Sequence, residues 1–222
     1  LNINSLLPNI FYLGRLAIKA NPSIIAISES KIDNTISDHE IRIENYNIIR
    51  KDRTENGGGV VLYVREDLNY NDITPTNDVE NIFVDILLKN TKPFIVGVLY
   101  RPPDVNNFFE TLGESLNEIY EEGKDVFILG DLNVNLLDDN RYILDDVNFR
   151  GNCLFNRFLD FVTRFNFEQL IREPTRVTDT TSSLLDHVLT NASDKVSQSG
   201  VLEVAFSDDL HIYCTRKVTR YR

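Results

Sequence analysis

Val126-Phe127-Ile128-Leu129-Gly130-Asp131-Leu132-Asn133 is the stretch on which the reading of this chain turns. Four apolar residues, branched and aromatic among them, stand between Asp125 and Gly130, which is the pattern of a buried strand. On extended chain, residues two apart face the same side. Asp131 and Asn133 are therefore expected to look into one space just past the strand end, where open α/β sheets place their ligands. An acid there can take a proton or hold a metal, and an amide can orient a water or a phosphate oxygen. The same two residue types also shape turns, and the stretch alone weighs the two readings about evenly.

Working outward, the neighbouring segments carry the same alternation of strands and helices. Leu6 to Ala20 places apolar residues at helical spacing, closed by Asn21-Pro22. Ser23 to Ser28 reads as a buried strand with Glu29 at its end. Ile48 to Arg53 is polar and ends basic, and no element is assigned to it. Gly57-Gly58-Gly59 leads into the strand Val60–Val64; without the lysine and helix of a P-loop it reads as a flexible turn, not a phosphate cradle. Ile82–Leu88 and Phe94–Tyr100 read as two strands, the second stopped by Pro102-Pro103. Phe108 to Glu122 predicts a helix ended by Gly123, and Leu154 to Phe165 a second amphipathic one. Asp138 to Asn152 reads as a polar loop and Pro174 to Ser183 as a Thr/Ser loop. Leu184–Leu189, Val201–Phe206 and Ile212–Val218 read as the last strands. The sum is an α/β chain: mixed sheets packed with helices in layers. Asn4, Glu29, Tyr100, Asp131, Asp186 and Asp208 each stand at a strand end, and together they suggest one site assembled there.

The totals set bounds. The chain has 222 residues, enough for one large domain, and a net charge of -11. That charge argues against a protein that simply coats phosphate, and it does not exclude an enzyme whose acidic site attracts a divalent cation and so reverses the local field. The two cysteines, Cys153 and Cys214, lie far apart without zinc-like spacing, as in a reduced intracellular protein. No apolar run is long enough to span a membrane. There is no Met, so the chain reads as one domain, residues 1–222, excised from a longer polyprotein, with 215–222 opening a basic linker.

The motifs occur in a telling order: Asn2-Ile3-Asn4-Ser5-Leu6, Ser28-Glu29-Ser30, Tyr100-Arg101-Pro102-Pro103, Gly130-Asp131-Leu132-Asn133, Leu185-Asp186-His187 and Ser207-Asp208-Asp209. This order resembles the endonuclease/exonuclease/phosphatase superfamily. Tyr100–Pro103, Pro174-Thr175-Arg176 and the closing Ile212-Tyr213 strand look most like the apurinic-like endonuclease domain of LINE-type non-LTR retrotransposons. The resemblance implies a four-layered, DNase I-like α/β sandwich of two mixed β-sheets flanked by helices. It implies a metal-dependent phosphodiesterase that nicks DNA. Glu29 would be the principal metal ligand, helped by Asn4 and Asp208, for Mg²⁺ or alternatively Mn²⁺. Asp131 would position or deprotonate the attacking water, with Asn133 orienting that aspartate and a phosphate oxygen and Asn2 nearby. Tyr100 would donate to the phosphate or the leaving group. Asp186 would hold a phosphate-binding histidine. Arg101, Thr175, Arg176, Ser183 and Ser207 would touch DNA or brace the site. DNA is the implied partner, with a reverse transcriptase downstream in the same polypeptide, and the nucleus the implied place of action.

The chemistry stands without the family name. A phosphodiester is shielded by its anionic oxygens, so attack needs a cation, a base near the water and a donor at the leaving oxygen. Asp, Asn, Glu and Tyr supply these without a covalent intermediate. Basic residues Arg50, Lys51, Arg53, Arg101 and Arg176 are candidate phosphate contacts. One departure matters: the family pattern is Ser-Asp-His, and here Asp209 stands in the histidine's place. His211, two residues on, faces the same side of a strand and takes over only with a shift of register. Asp209 keeps open a second reading, a catalytically inactive DNA-binding or scaffold module. A phosphatase acting on small phosphorylated substrates is a third.

Overall fold

The computed structural model describes residues 2–137, 153–178, 180–202 and 210–218. The expected loop 138–152 and the Ser207-Asp208-Asp209 motif lie outside the described residues.

Local sequence explains most elements. Helix α1 (Ile10–Ala20) follows a 3-10 turn containing Pro8 and ends where Asn21 adopts left-handed φ 45°. Asn tolerates that conformation better than most residues, and Pro22 cannot continue the helix. Next come β1 (Ile24–Ser28), β2 (Tyr46–Lys51), β3 (Val60–Arg65) and β4 (Asn69–Asp72). The hairpin of β5 (Glu80–Leu87) and β6 (Phe94–Tyr100) follows. Helix α2 covers Phe108–Ile119, three residues short of the expected end. Glu121 and Glu122 would place negative charge at the negative end of the helix dipole. After β7 (Asp125–Asp131) and α3 (Cys153–Arg164) come β8 (Glu168–Gln169), β9 (Arg176–Val177) and β10 (Ser182–Ser183). The chain continues through β11 (Asp186–Thr190), β12 (Val196–Leu202) and β13 (His211–Arg216).

The strands form a sheet in the order β1-β3-β2 and a six-stranded mixed sheet in the order β4-β5-β6-β7-β11-β8. Strands β12 and β13 pair with each other, as do β9 and β10. Within the large sheet β6 and β7 are parallel, joined by the α2 crossover, and β5 and β11 run antiparallel to them. Every residue of β6 is buried, as a strand covered on both faces requires.

Side-chain alternation sorts the core into layers. Ile25, Ile27, Val61 and Tyr63 face Leu13 and Ala17 of α1. Val60, Leu62 and Val64 face Ile82, Val84, Val96 and Val98 across the gap between the sheets. Phe83, Ile95, Val126 and Ile128 face Phe109 and Leu112 of α2 and Phe158 and Phe161 of α3. Helix, sheet, sheet and helices make four layers, as the resemblance implied.

Several strands needed tertiary information, among them β8 and the paired β9 and β10, the last two lying inside the stretch 174–183 expected to be a loop. Strands β2 and β4 were not expected: β4 is polar, β2 sets Ile48-Ile49 among polar residues without alternation, and both pair along the edges of their sheets. Strand β12 begins at Val196, five residues before the expected Val201, because Ser197-Gln198-Ser199 carries no apolar signal and the pairing with β13 defines it. Strand β13 runs through Thr215 and Arg216, and Arg216 lies over the Phe94 ring and donates to Asp125 at 2.8 Å.

Candidate active site

Strand direction builds the site. Because β6 and β7 are parallel, their last residues, Tyr100 and Asp131, are register partners. Because β5 and β11 are antiparallel to these, their first residues arrive at the same rim: Glu80 beside Tyr100 and Asp186 beside Asp131. Register partners share a face, so Glu80, Tyr100, Asp131 and Asp186 form a row facing the inter-sheet gap. The other sheet brings Glu29, directly after β1, to that rim. Gly130 makes the close pairing possible: a Cβ there would lie 1.9 Å from the Leu99 carbonyl oxygen.

Asp131 is the buried centre of the row. Asn2 Nδ2 donates to its Oδ2 at 2.9 Å, and the Asn133 backbone N–H donates to its Oδ1 at 2.9 Å. Burial pushes its carboxyl well above the usual carboxylate range, and the neighbouring Asp186 charge pushes the same way. Asn2 is held by a bridge to Ser28, and its Oδ1 accepts the Asn4 N–H at 3.1 Å.

Tyr100 donates its hydroxyl to Glu29 Oε1 at 2.6 Å. Burial and this carboxylate raise its pKa, so the phenol stays protonated at neutral pH. Glu29 sits at φ 55°, and its flanks are tied to the glycine loop. Ser30 N–H donates to the Gly59 carbonyl at 3.1 Å and Lys31 N–H to the Gly58 carbonyl at 2.9 Å. The glycine run is thus a brace for the Glu29 segment, in place of the flexible turn expected. Lys31 Nζ contacts Asn4 Oδ1 and lies 3.9 Å from Glu29 Oε2.

That ammonium marks where oxygen donors of Asn4 and Glu29 converge on one cation. An oxygen-only pair of this kind fits a hard divalent ion. Among the described residues no group of three or more His, Cys, Asp or Glu has metal-binding geometry, and the third expected ligand, Asp208, lies outside them.

Other expected residues are placed differently. Asn133 leaves extended geometry at φ 49°, so the two-residue period does not carry it beside Asp131. Its N–H makes the turn-shaping bond to Asp131, and its Nδ2 donates to the Arg101 carbonyl at 2.9 Å. The turn-shaping reading of the opening stretch therefore holds, and Asp131 alone of the two residues lies in the row at the inter-sheet rim.

Arg101, expected at the phosphate, is buried. Its guanidinium donates to the carbonyls of Leu132 at 2.6 Å, Val105 at 2.9 Å, Asn133 at 3.1 Å and Pro103 at 3.2 Å. Thr175 is buried too, and its Oγ1 accepts the N–H groups of Leu185 and Asp186, both at 3.1 Å. It braces Asp186. Ser183 accepts the Thr175 N–H through its carbonyl, and Arg176 is exposed.

Of the other basic candidates, Arg50 grips Asp52 and Asp38, and Lys51 donates to the carbonyls of Asn77 and Val79. Arg53 pairs with Glu80 at 3.0 Å. His211 is buried at the start of β13, and burial lowers its pKa to about 3. Sequence reading missed Glu80 and Lys31. The strand read from sequence starts at Ile82, two residues after Glu80, and only the pairing of β5 with β6 sets Glu80 beside Tyr100.

A mixed four-layer sandwich with an acid, an amide and a phenol at one inter-sheet rim defines the DNase I-like class of folds. The chain belongs to the endonuclease/exonuclease/phosphatase family, whose model matches residues 1–208. No curated protein matches the sequence. Among solved structures, an AP endonuclease from Archaeoglobus fulgidus superposes with a TM-score of 0.72 at 14% identity, covering 98% of this chain and 97% of that one. The endonuclease domain of TRAS1, a telomere-specific non-LTR retrotransposon, gives 0.70 at 15% identity, with 98% and 95% covered. A 3'-5' exonuclease from Neisseria meningitidis gives 0.68 at 14% identity, with 98% of each chain covered.

Proposed function

We propose that this domain is a divalent-metal-dependent endonuclease that hydrolyses a DNA phosphodiester and so nicks target DNA for a retrotransposon. The observation that carries the reading is the Asn2–Asp131 and Tyr100–Glu29 pair of contacts, which join four separate segments at one rim. The likeness to the TRAS1 domain supports the retrotransposon setting.

The residues divide the work. Asp131 takes the proton of the attacking water at a carboxylate oxygen, and its raised pKa brings its basicity toward the operating pH. Asn2 and the Asn133 N–H fix both of its oxygens. Tyr100, protonated at neutral pH, turns its hydroxyl from Glu29 toward the departing oxygen. Asp186, backed by Thr175, holds the acidic character of the row and keeps the Asp131 proton affinity high. Glu29, Asn4 and Asp208 would hold Mg²⁺, with Mn²⁺ the alternative, and the bound ion supplies positive charge against charge developing on the phosphate. Arg176, Ser183 and Ser207 belong to the same reading as contacts to DNA, as does a reverse transcriptase downstream with action in the nucleus. Among the described residues no helix is long and apolar enough to cross a membrane.

Asp209 favours the second reading, an inactive DNA-binding module, because an anion in the histidine's place repels the phosphate. Losing one such donor costs on the order of a hundredfold in rate. The test is nicking of supercoiled plasmid with Mg²⁺ and with EDTA, by the native chain, Asp131→Ala and Asp209→His. Metal-dependent nicks lost in Asp131→Ala support the endonuclease. Nicks only from Asp209→His mean an intact site silenced by one residue. Silence from both folded proteins overturns the active reading.

A further inference from the structure

Glu80 is the member of the acidic row to which the reaction above gives no task. Its carboxylate is largely enclosed, with 11% of the side chain exposed. Oε2 accepts the Gly59 backbone N–H at 2.5 Å, and Oε1 accepts from Arg53 Nη1 at 3.0 Å. Gly59 is at φ 83°, a conformation that suits glycine, and a Cβ there would lie 2.5 Å from Ser30 Oγ. The carbonyls of this loop hold Ser30 and Lys31, the two residues after Glu29. The contacts therefore run from Glu80 to Gly59, from Gly59 to Ser30, and from there to Glu29 in its left-handed backbone conformation.

We propose that Glu80 is a positioning residue: by gripping the Gly59 N–H it locks the glycine loop against Ser30 and Lys31 and so fixes the Glu29 carboxylate where a divalent cation is held. The inference rests on the metal-dependent reading above. A left-handed residue outside glycine costs energy to hold, and the surrounding contacts must over-determine it. Glu29 has this backbone, and the loop that Glu80 anchors supplies two of those contacts. Groups that orient a metal ligand typically change affinity by about 10–100-fold when altered. Arg53, whose side chain is 48% exposed, satisfies the second oxygen of Glu80 and is not needed for the grip.

The experiment measures Mg²⁺ binding by calorimetry and backbone amide hydrogen exchange on the whole chain, comparing native, E80Q, E80D and R53A. E80Q keeps an oxygen for Gly59 N–H and loses the charge. E80D keeps the charge and withdraws the oxygen by one methylene. E80D is expected to expose the Ser30 and Lys31 amides to about tenfold faster exchange and to weaken Mg²⁺ by about tenfold, while E80Q and R53A stay within about twofold of native. Native exchange at Ser30 and Lys31 in E80D overturns the proposal. So does loss of Mg²⁺ in E80Q with affinity kept in E80D, which would make Glu80 a charge acting on the ion directly. A native chain that binds no Mg²⁺ defeats the metal-dependent reading, while the exchange comparison still judges the lock.

Discussion

At the residue scale, the site places opposite demands on its two ends. Tyr100 must stay protonated to donate, and burial beside Glu29 ensures it. Tyr100→Phe removes that hydroxyl while leaving the ring in the core, and nicking is expected to fall on the order of a hundredfold with little change in the urea midpoint. Asp131 must lose its proton to act as a base, yet the fold raises its pKa. An acid with a raised folded pKa keeps its proton after the unfolded chain has released it. Stability from this group therefore falls as pH rises from about 3.8 through the folded value. Asp131→Asn removes both effects. It is expected to abolish nicking and, in EDTA, to be more stable than native at pH 8 by urea unfolding; equal stability at every pH would contradict the buried-acid account.

At the element scale, the turn after β7 depends on a residue whose expected task was different. Arg101 is expected from sequence to contact phosphate as one of several basic residues, beside Arg50, Lys51, Arg53 and Arg176. In the structure the guanidinium is enclosed by the carbonyls of the β6 and β7 exits. Its substitution is predicted to act through folding. Arg101→Ala leaves buried carbonyls unpaired and a cavity, with a loss of about 3–5 kcal/mol in denaturant unfolding. A variant with native stability and weakened DNA binding would restore the phosphate role. Thr175, expected to touch DNA or brace the site, gives its hydroxyl to the backbone that carries Asp186.

At the scale of the whole molecule, two histidines are enclosed in the fold. His187 packs against Phe158 and lies 3.1 Å from the Val134 carbonyl through Nε2, and burial lowers its pKa to about 3. A base with a depressed folded pKa stabilises fully above its unfolded value near 6.5, and that contribution is lost as pH falls through about 3. The chain is therefore predicted to lose stability between pH 6.5 and 3, by on the order of 4 kcal/mol from His187 alone. His211 acts in the same direction. His187→Gln should flatten the slope of urea stability against pH in that window, and an unchanged slope would refute the assignment.

The sequence by itself determined the strands whose composition is apolar, the helical spacing of α1 to α3, and the order of Asn2, Glu29, Tyr100, Asp131 and Asp186 along the chain. Those signals are local: burial on both faces demands an apolar run, and a strand end that meets a polar residue marks a rim. Only the tertiary structure decided which of these residues touch, because contact depends on strand direction and register. It turned the glycine run into a brace for Glu29, since a backbone carbonyl leaves no mark in residue identity. It took Arg101 out of the solvent, because a guanidinium satisfies carbonyls as readily as phosphates. It brought Glu80 to the rim through an antiparallel neighbour, a pairing that hydrogen bonds make and side-chain periodicity does not encode.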